Sequence, residues 1–234
     1  MPWRTDTRPY YVLVSELMLQ QTQVVRVIPK FTTFIEAFPD ERALANATLA
    51  EVLVLWQGLG YNRRAKFLHE AAKMLVDEYS SIWPIDEKGL MKLPGVGKNT
   101  SGAIRAYAFN QPSIFIETNI RTVFFYHFFE TKSDVTDEEI RVLLEESIDS
   151  GHPREWYWAL MDYGSWLKSQ GRSGIDQSKH YKKQPPLEGS IRQVRGKIIS
   201  ALTNKGDMTI AELQQAVGFD ERFHPALSGL IQDG

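Results

Sequence analysis

The apolar residues of this chain recur at three- and four-residue intervals almost throughout, and no stretch alternates convincingly residue by residue. That periodicity puts them on single faces of helices and leaves no pattern for a half-buried strand. Helices are expected at about 9–23, 25–38, 49–56, 63–79, 86–92, 98–109, 118–129, 137–147 and 155–169, with "GLG", "LPGVG" and "NQP" as breaks. Pro9 suits a first helical turn, where its missing N–H is no loss. "PSIFIE" is short enough to be either extended or helical. The expected fold class is all-α.

The texture changes after Ser169. "SQGRSGIDQSKHYKKQPPLEG" is polar and rich in Gly and Pro, and reads as a linker. The remainder reads as three short helices, with Thr209 capping the second and Glu212 completing a capping box. Such a unit suits a small helix-turn-helix or winged-helix-like module.

Several functions are excluded by what the chain lacks. With no cysteine it cannot form disulfides, thiolate zinc sites or thiolate-held iron–sulfur clusters. The five histidines are scattered, which argues against a catalytic metal, and His127, in an aromatic run, is expected to be packed. No apolar run is long enough to span a bilayer, and the N-terminus lacks a signal-peptide core, so cytoplasmic residence is expected. Net charge is −2, but its distribution matters more than its sum. Acidic residues crowd 130–149, while Lys179, Lys182, Lys183, Arg192, Arg195, Lys197 and Lys205 gather near the other end.

Three local features point to chemistry. In "SELMLQQTQVV" a carboxylate, Glu16, stands in what reads as a buried amphipathic helix, which packing alone does not call for. In "LPGVGKNTSGAI" Gly95 and Gly97 turn the chain ahead of a helix whose first N–H groups attract an anion, with Lys98 and Thr100 as added contacts. That is a grip on a DNA phosphate, which positions without specifying, although two-glycine turns also occur as plain connections. In "IFIETNIRT" Glu117 stands at a helix start, where glutamate is a poor cap; Thr118 or Asn119 is expected to cap instead.

Together "PWR…PYYVLVSELMLQQTQV", "LWQGLGYNRRAKFLHEAA", "LPGVGKNTSGAI", "ETN" and "ALMDYG" resemble the adenine DNA glycosylases of the endonuclease III helix-hairpin-helix superfamily, over about residues 2–168. The resemblance implies a two-lobed fold: a six-helix domain with the hairpin at 9–112, a second lobe from 1–8 and 113–182, and the small module at 183–234. It implies that Glu16 is the general acid that protonates the adenine ring. A carboxyl among apolar neighbours holds a proton near neutral pH. It places Glu117 against the oxocarbenium-like sugar, with Asn119 as helper. Trp3, Arg4 and Leu19 match base-pocket positions, and Asp162 stands where the family has a glutamate that reads the base edge. Gln21 and Tyr61 match residues that wedge into the duplex, where a flat ring stacks on bases.

The chain also departs from that pattern. The family has aspartate where Glu117 stands; the extra carbon carries the head group about 1.5 Å farther, so either the backbone is set back or the chemistry is altered. Strand-cleaving relatives carry a lysine where this chain has Asn99, which offers no nucleophilic amine, so a hydrolytic glycosylase without lyase activity is implied. Lys98 is adjacent but should face the phosphate. Most members hold an iron–sulfur cluster with four cysteines after "ALMDYG"; here no cofactor is expected, with a monovalent cation at the hairpin left open. A β-rich C-terminal domain that recognises oxidised guanine is typical of the family and is replaced by the helical module. The implied partner is double-stranded DNA with a mismatch or lesion, bound by a nucleoid-associated monomer acting on adenine opposite guanine or oxidised guanine. Thymine or uracil opposite guanine, a deaminated purine, and non-catalytic DNA binding are the alternatives. Trp156, Leu160, Tyr163 and Leu167, like Phe124, Phe125, Phe128 and Phe129, read as core.

Overall fold

The computed structural model describes residues 1–179, 185–218 and 220–233. Among these the chain is helical, with no strand and a single parallel bridge between Val135 and Ser178. The helices are α1 Pro2–Thr5, α2 Pro9–Leu19, α3 Val24–Ala37, α4 Glu41–Asn46, α5 Leu49–Trp56, α6 Arg63–Asp77, α7 Glu87–Leu90 and α8 Lys98–Tyr107. They continue with α9 Thr118–Phe128, α10 Asp137–Ser147, α11 Pro153–Ser169, α12 Ile191–Lys205, α13 Ile210–Val217 and α14 Phe223–Asp233. Lys182, Lys183 and His180 lie outside the described residues.

Caps set many of these boundaries. Thr48 with Glu51, Thr136 with Glu139 and Thr209 with Glu212 form reciprocal capping boxes at the starts of α5, α10 and α13. Asp40 accepts from the Ala43 N–H at 2.8 Å and starts α4, a helix the periodicity did not mark because it is only six residues long. "PSIFIE" is irregular, with no ladder partner.

One hydrophobic core runs from Trp3 to Tyr157 and joins α2, α3, α6, α8 and α9. Its large members include Trp56, Tyr157, Phe31 and Phe34, each fully buried and each worth about 1.5–3 kcal/mol on burial. The buried phenols are satisfied: Tyr10 donates to the Phe38 carbonyl at 2.8 Å and Tyr157 to that of Ser113 at 2.6 Å. A second core, built on Val194, Ile198, Leu213 and Phe223, belongs to α12–α14 alone.

The helix that carries Glu16 differs from the expected one in two respects. It is buried nearly all round rather than on one stripe, with Val12, Leu13, Val14, Leu17 and Met18 all at most 1% exposed, which marks a central helix. It also ends at Leu19, four residues earlier than expected, because Gln21 takes a left-handed backbone (φ 55°).

Candidate active site

Arg64 holds the end of α2. Its buried guanidinium donates to the carbonyls of Leu17, Met18 and Gln20 at 2.7, 2.9 and 2.6 Å, and to Gly60 at 3.0 Å. A cation at a helix C-terminus is favourable, and burial pulls this one down only to about 10, so it stays charged at neutral pH. The same side chain therefore fixes the loop with Gln21 and the loop with Tyr61. Nothing in the local pattern singled it out, because the three carbonyls it takes at the end of α2 lie 44 to 47 residues away.

Glu16, in α2, stands beside Glu117, close enough for each carboxyl to act on the other. Neither Thr118 nor Asn119 caps α9: Glu117 itself occupies the N-cap position, makes no side-chain cap bond, and turns its carboxyl to Glu16 instead. Both carboxyls keep some solvent contact but are otherwise enclosed by protein. Burial, then the Glu117 charge, pushes Glu16 well above the usual carboxyl range. Burial also raises Glu117, but the hydrogen bond from Glu16 and the charges of Arg121 and Lys168 oppose it. Both are raised, Glu16 the further because the Glu117 charge adds to its burial while Arg121 and Lys168 work against the rise of Glu117, and protons leave the pair as a unit. The buried Tyr107 ring borders both, and its hydroxyl is pushed far up by burial and then by the two carboxylates.

Asn119 is spent on positioning. Its amide donates to the Met161 carbonyl at 3.2 Å, and its oxygen accepts from Lys168 Nζ at 2.6 Å. Lys168 is partly buried, and desolvation lowers it against the opposing pull of Glu117. Lys168 and Tyr107 are site residues that sequence reasoning missed. Lys168 lies near the end of a helix otherwise read as core, and its role depends on the packing of α11 against α9.

The hairpin precedes α8 as expected, with Gly97 at the N-cap. Asn99 donates to the Ile116 carbonyl at 3.0 Å and accepts from the Ile116 N–H at 3.4 Å. It ties the hairpin to the residue before Glu117 and so acts as a positioning group, not on the reacting atoms. Thr100 is buried and takes the Gln20 side-chain N–H at 3.5 Å, so its hydroxyl does not serve as a surface phosphate contact. Lys98 is exposed. The two glycines differ. Gly95 has φ 79°, and a Cβ there would lie 2.9 Å from Phe67 Cβ; Gly97 is extended, and a Cβ would meet nothing within 4 Å. Gly95→Ala should therefore cost about 1–3 kcal/mol in stability. Gly97→Ala should cost less than about 1 kcal/mol, and if the hairpin grips a phosphate as the sequence led us to expect, it should also weaken duplex binding. Thermal melts beside duplex titrations check both; equal melting losses in the two variants would contradict the assignment.

The remaining expected positions fall into two groups. Trp3 is buried edge-on to Phe31 with centroids 5.2 Å apart, and Leu19 is partly buried. Arg4 grips Asp162 in a bidentate pair at 2.8 and 2.9 Å, so the expected base-edge reader is already engaged. Gln21 and Tyr61 are both exposed and both left-handed, with φ 55° and 50°. Strained non-glycine backbone at two exposed loop tips is a mark of functional positions.

Two packing expectations need correction. Phe124 and Phe125 are buried, but Phe128 is 56% exposed and Phe129 only partly covered. His127 is exposed and contacts the Tyr163 hydroxyl at 2.9 Å, so it is not packed in the core. Tyr163 stacks on the exposed Trp166 instead of entering the core; Trp156 and Leu160 lie at the core's edge, and Leu167 is buried. These residues ride the ends of α9 and α11, where the core runs out. The segment that follows α11 is held by protein contacts: Gln177 donates to the carbonyls of Phe129 and Glu130, and Arg172 to the Tyr126 hydroxyl. With no cysteine, its donors do not fit a thiolate-held cluster.

The sequence and the fold are matched in known proteins. Residues 14–150 fit the family described as HhH-GPD superfamily base excision DNA repair protein. Over 181 residues the chain is 36% identical to the adenine DNA glycosylase of Buchnera aphidicola subsp. Baizongia pistaciae, covering 75% of this chain and 51% of that one. It is 44% identical over 124 residues to that of Mycolicibacterium smegmatis, covering 53% and 42%. It is 35% identical over 177 residues to that of Homo sapiens, covering 70% and 32%. The chain thus spans about half or less of the length of these curated relatives. In fold it is similar to a thermostable thymine-DNA glycosylase, with TM-score 0.66, 23% identity, and 76% and 83% of the two chains covered. It is also similar to an endonuclease III trapped as a covalent intermediate with DNA, with TM-score 0.59, 22% identity, and 76% and 78% covered. With more than half of its length matched by the family pattern, this chain belongs to the HhH-GPD superfamily of base excision DNA repair proteins.

Proposed function

We propose that the protein is a DNA glycosylase that hydrolyses the N-glycosidic bond of an extruded base, with adenine opposite guanine or oxidised guanine as its substrate. The Glu16–Glu117 pair carries this reading. Adenine leaves poorly as an anion; a proton from Glu16 to a ring nitrogen makes it a neutral leaving group. Glu117, raised by burial against the opposing pull of Glu16, Arg121 and Lys168, faces the cationic sugar, as a carboxylate does in glycoside hydrolysis. Gln21 and Tyr61 fill the gap left in the duplex, where unstacking costs a few kcal/mol. Release is hydrolytic, because the Asn99 amide is committed to Ile116 and is no nucleophile.

A panel of duplexes, each with one mismatch or lesion, tests this: hot alkali after incubation should break the strand at A:G or at A opposite oxidised guanine. Silence across the panel rejects the reading, and breaks without alkali, with borohydride trapping, reject hydrolysis alone. The Arg4–Asp162 pair favours a second reading, since a carboxylate already engaged by arginine is poorly placed to read an adenine edge. Release of thymine, uracil or a deaminated purine opposite guanine by the same panel would select it.

Lys168→Met should shift the pH profile of base release. Removing this cation raises Glu117 further, so the limb on which activity rises with pH moves to higher pH. An unmoved limb in single-turnover rates would show that Lys168 serves only Asn119.

A further inference from the structure

Between the C-terminal helices and the loops of Gln21 and Tyr61 lies a groove of about 1560 Å³. It is larger than the roughly 300–1,000 Å³ of small-molecule pockets. Arg26, Arg63 and Lys66 line one wall and Arg192, Arg195 and Lys197 of α12 the other, while apolar side chains such as Leu53, Phe67, Ile199, Leu202 and Leu230 make up most of the rest. No aspartate or glutamate is among the described residues that line it, in a chain with 29 acidic residues against 27 basic. Cations gathered on both walls repel one another and focus a field on a polyanion. Arg192 Nη1 donates to the Tyr61 hydroxyl at 3.0 Å, so the module touches the wedge residue itself. Gln57 and Asn204 bridge the same two units at 3.5 Å.

The groove does not take in the carboxyl pair. Gln21 and Tyr61 line it; Glu16, Glu117 and Trp3 do not. The wedge residues therefore divide two spaces. A nucleotide extruded toward Glu16 leaves its partner base on the other side of the wedge.

We propose that the groove holds the sugar–phosphate backbone of the strand facing the extruded nucleotide, with Arg195 and Lys197 as phosphate contacts. Arg192 exchanges the Tyr61 hydroxyl for phosphate as the wedge enters the duplex. This rests on the glycosylase reading for its geometry, but its test reads binding alone.

The test compares the full chain with Arg195→Gln/Lys197→Gln, and with Arg195→Lys/Lys197→Arg as the charge-preserving control. Affinity for an A:G duplex is followed by anisotropy against salt, in a Glu16→Gln background that prevents turnover. Each phosphate contact contributes about 0.9 to the slope of log K against log salt. The Gln pair should therefore lose about 1.8, and the control should lose nothing. Methylphosphonates beside the mismatch on the facing strand should weaken the parent protein and lose their effect in the Gln pair. An unchanged slope, a loss shared by the control, or dependence on the strand of the extruded base overturns the proposal. A reduced slope from a protein that releases no base sinks the glycosylase reading and leaves the groove; release with an unchanged slope does the reverse.

Discussion

Glu16→Gln is expected to remove base release while duplex affinity stays within a few-fold of the parent. The amide is nearly isosteric and can keep a hydrogen bond to Glu117, but it has no proton to give. General acid catalysis is worth about 10²–10⁴-fold, so single-turnover rates on the best substrate should fall by at least that range's lower bound. The pH behaviour carries a sign. Burial and then Glu117 raise Glu16 in the folded protein, so its contribution to stability is full in acid, below its unfolded value. It is lost as pH rises through the folded value, and base release declines over the same window as the acid deprotonates. The Gln variant should lack the part of the alkaline stability loss that Glu16 causes. Retained turnover in a properly folded Gln variant would remove Glu16 from the mechanism.

Gly164→Ala should damage both stability and turnover, from a position that touches no substrate. Gly164 lies on α11 against the start of α9, and a Cβ there would sit 2.2 Å from the Asn119 carbonyl oxygen and 2.7 Å from its carbon. The obstacle is backbone and cannot rotate away. A cost of about 3 kcal/mol, the upper end of ordinary overpacking, corresponds to about 6–12 °C in Tm at about 2–4 °C per kcal/mol for a chain of this size. The displaced element carries Glu117 and Asn119, and an error of about 1 Å at a reacting centre can cost on the order of a hundredfold. Calorimetry and single-turnover kinetics on the same preparation check it; an unchanged Tm would mean that α9 and α11 are farther apart than described.

The helices themselves were legible. Leu49–Trp56 and Asp137–Ser147 begin and end where their apolar spacing places them, and the Thr209–Glu212 box was readable as four residues of text. Local rules suffice there because capping and amphipathicity are settled within a turn or two of chain. They failed where the deciding partner was remote. The early end of α2 follows from Arg64 binding carbonyls across the fold, and the exposure of Phe128 and His127 follows from where the core stops.

The same division runs through the candidate site. Sequence by itself determined an all-helical chain with one glycine hairpin and two glutamates in unusual settings, because residue type and spacing act over a few bonds. Only the tertiary structure decided that Glu117 stands beside Glu16 and raises it further, that Arg4 takes Asp162, that Lys168 and Asn99 hold the groups beside them, and that α12 reaches Tyr61. Those outcomes depend on distance, desolvation and competition among residues far apart in the chain, which no local pattern encodes.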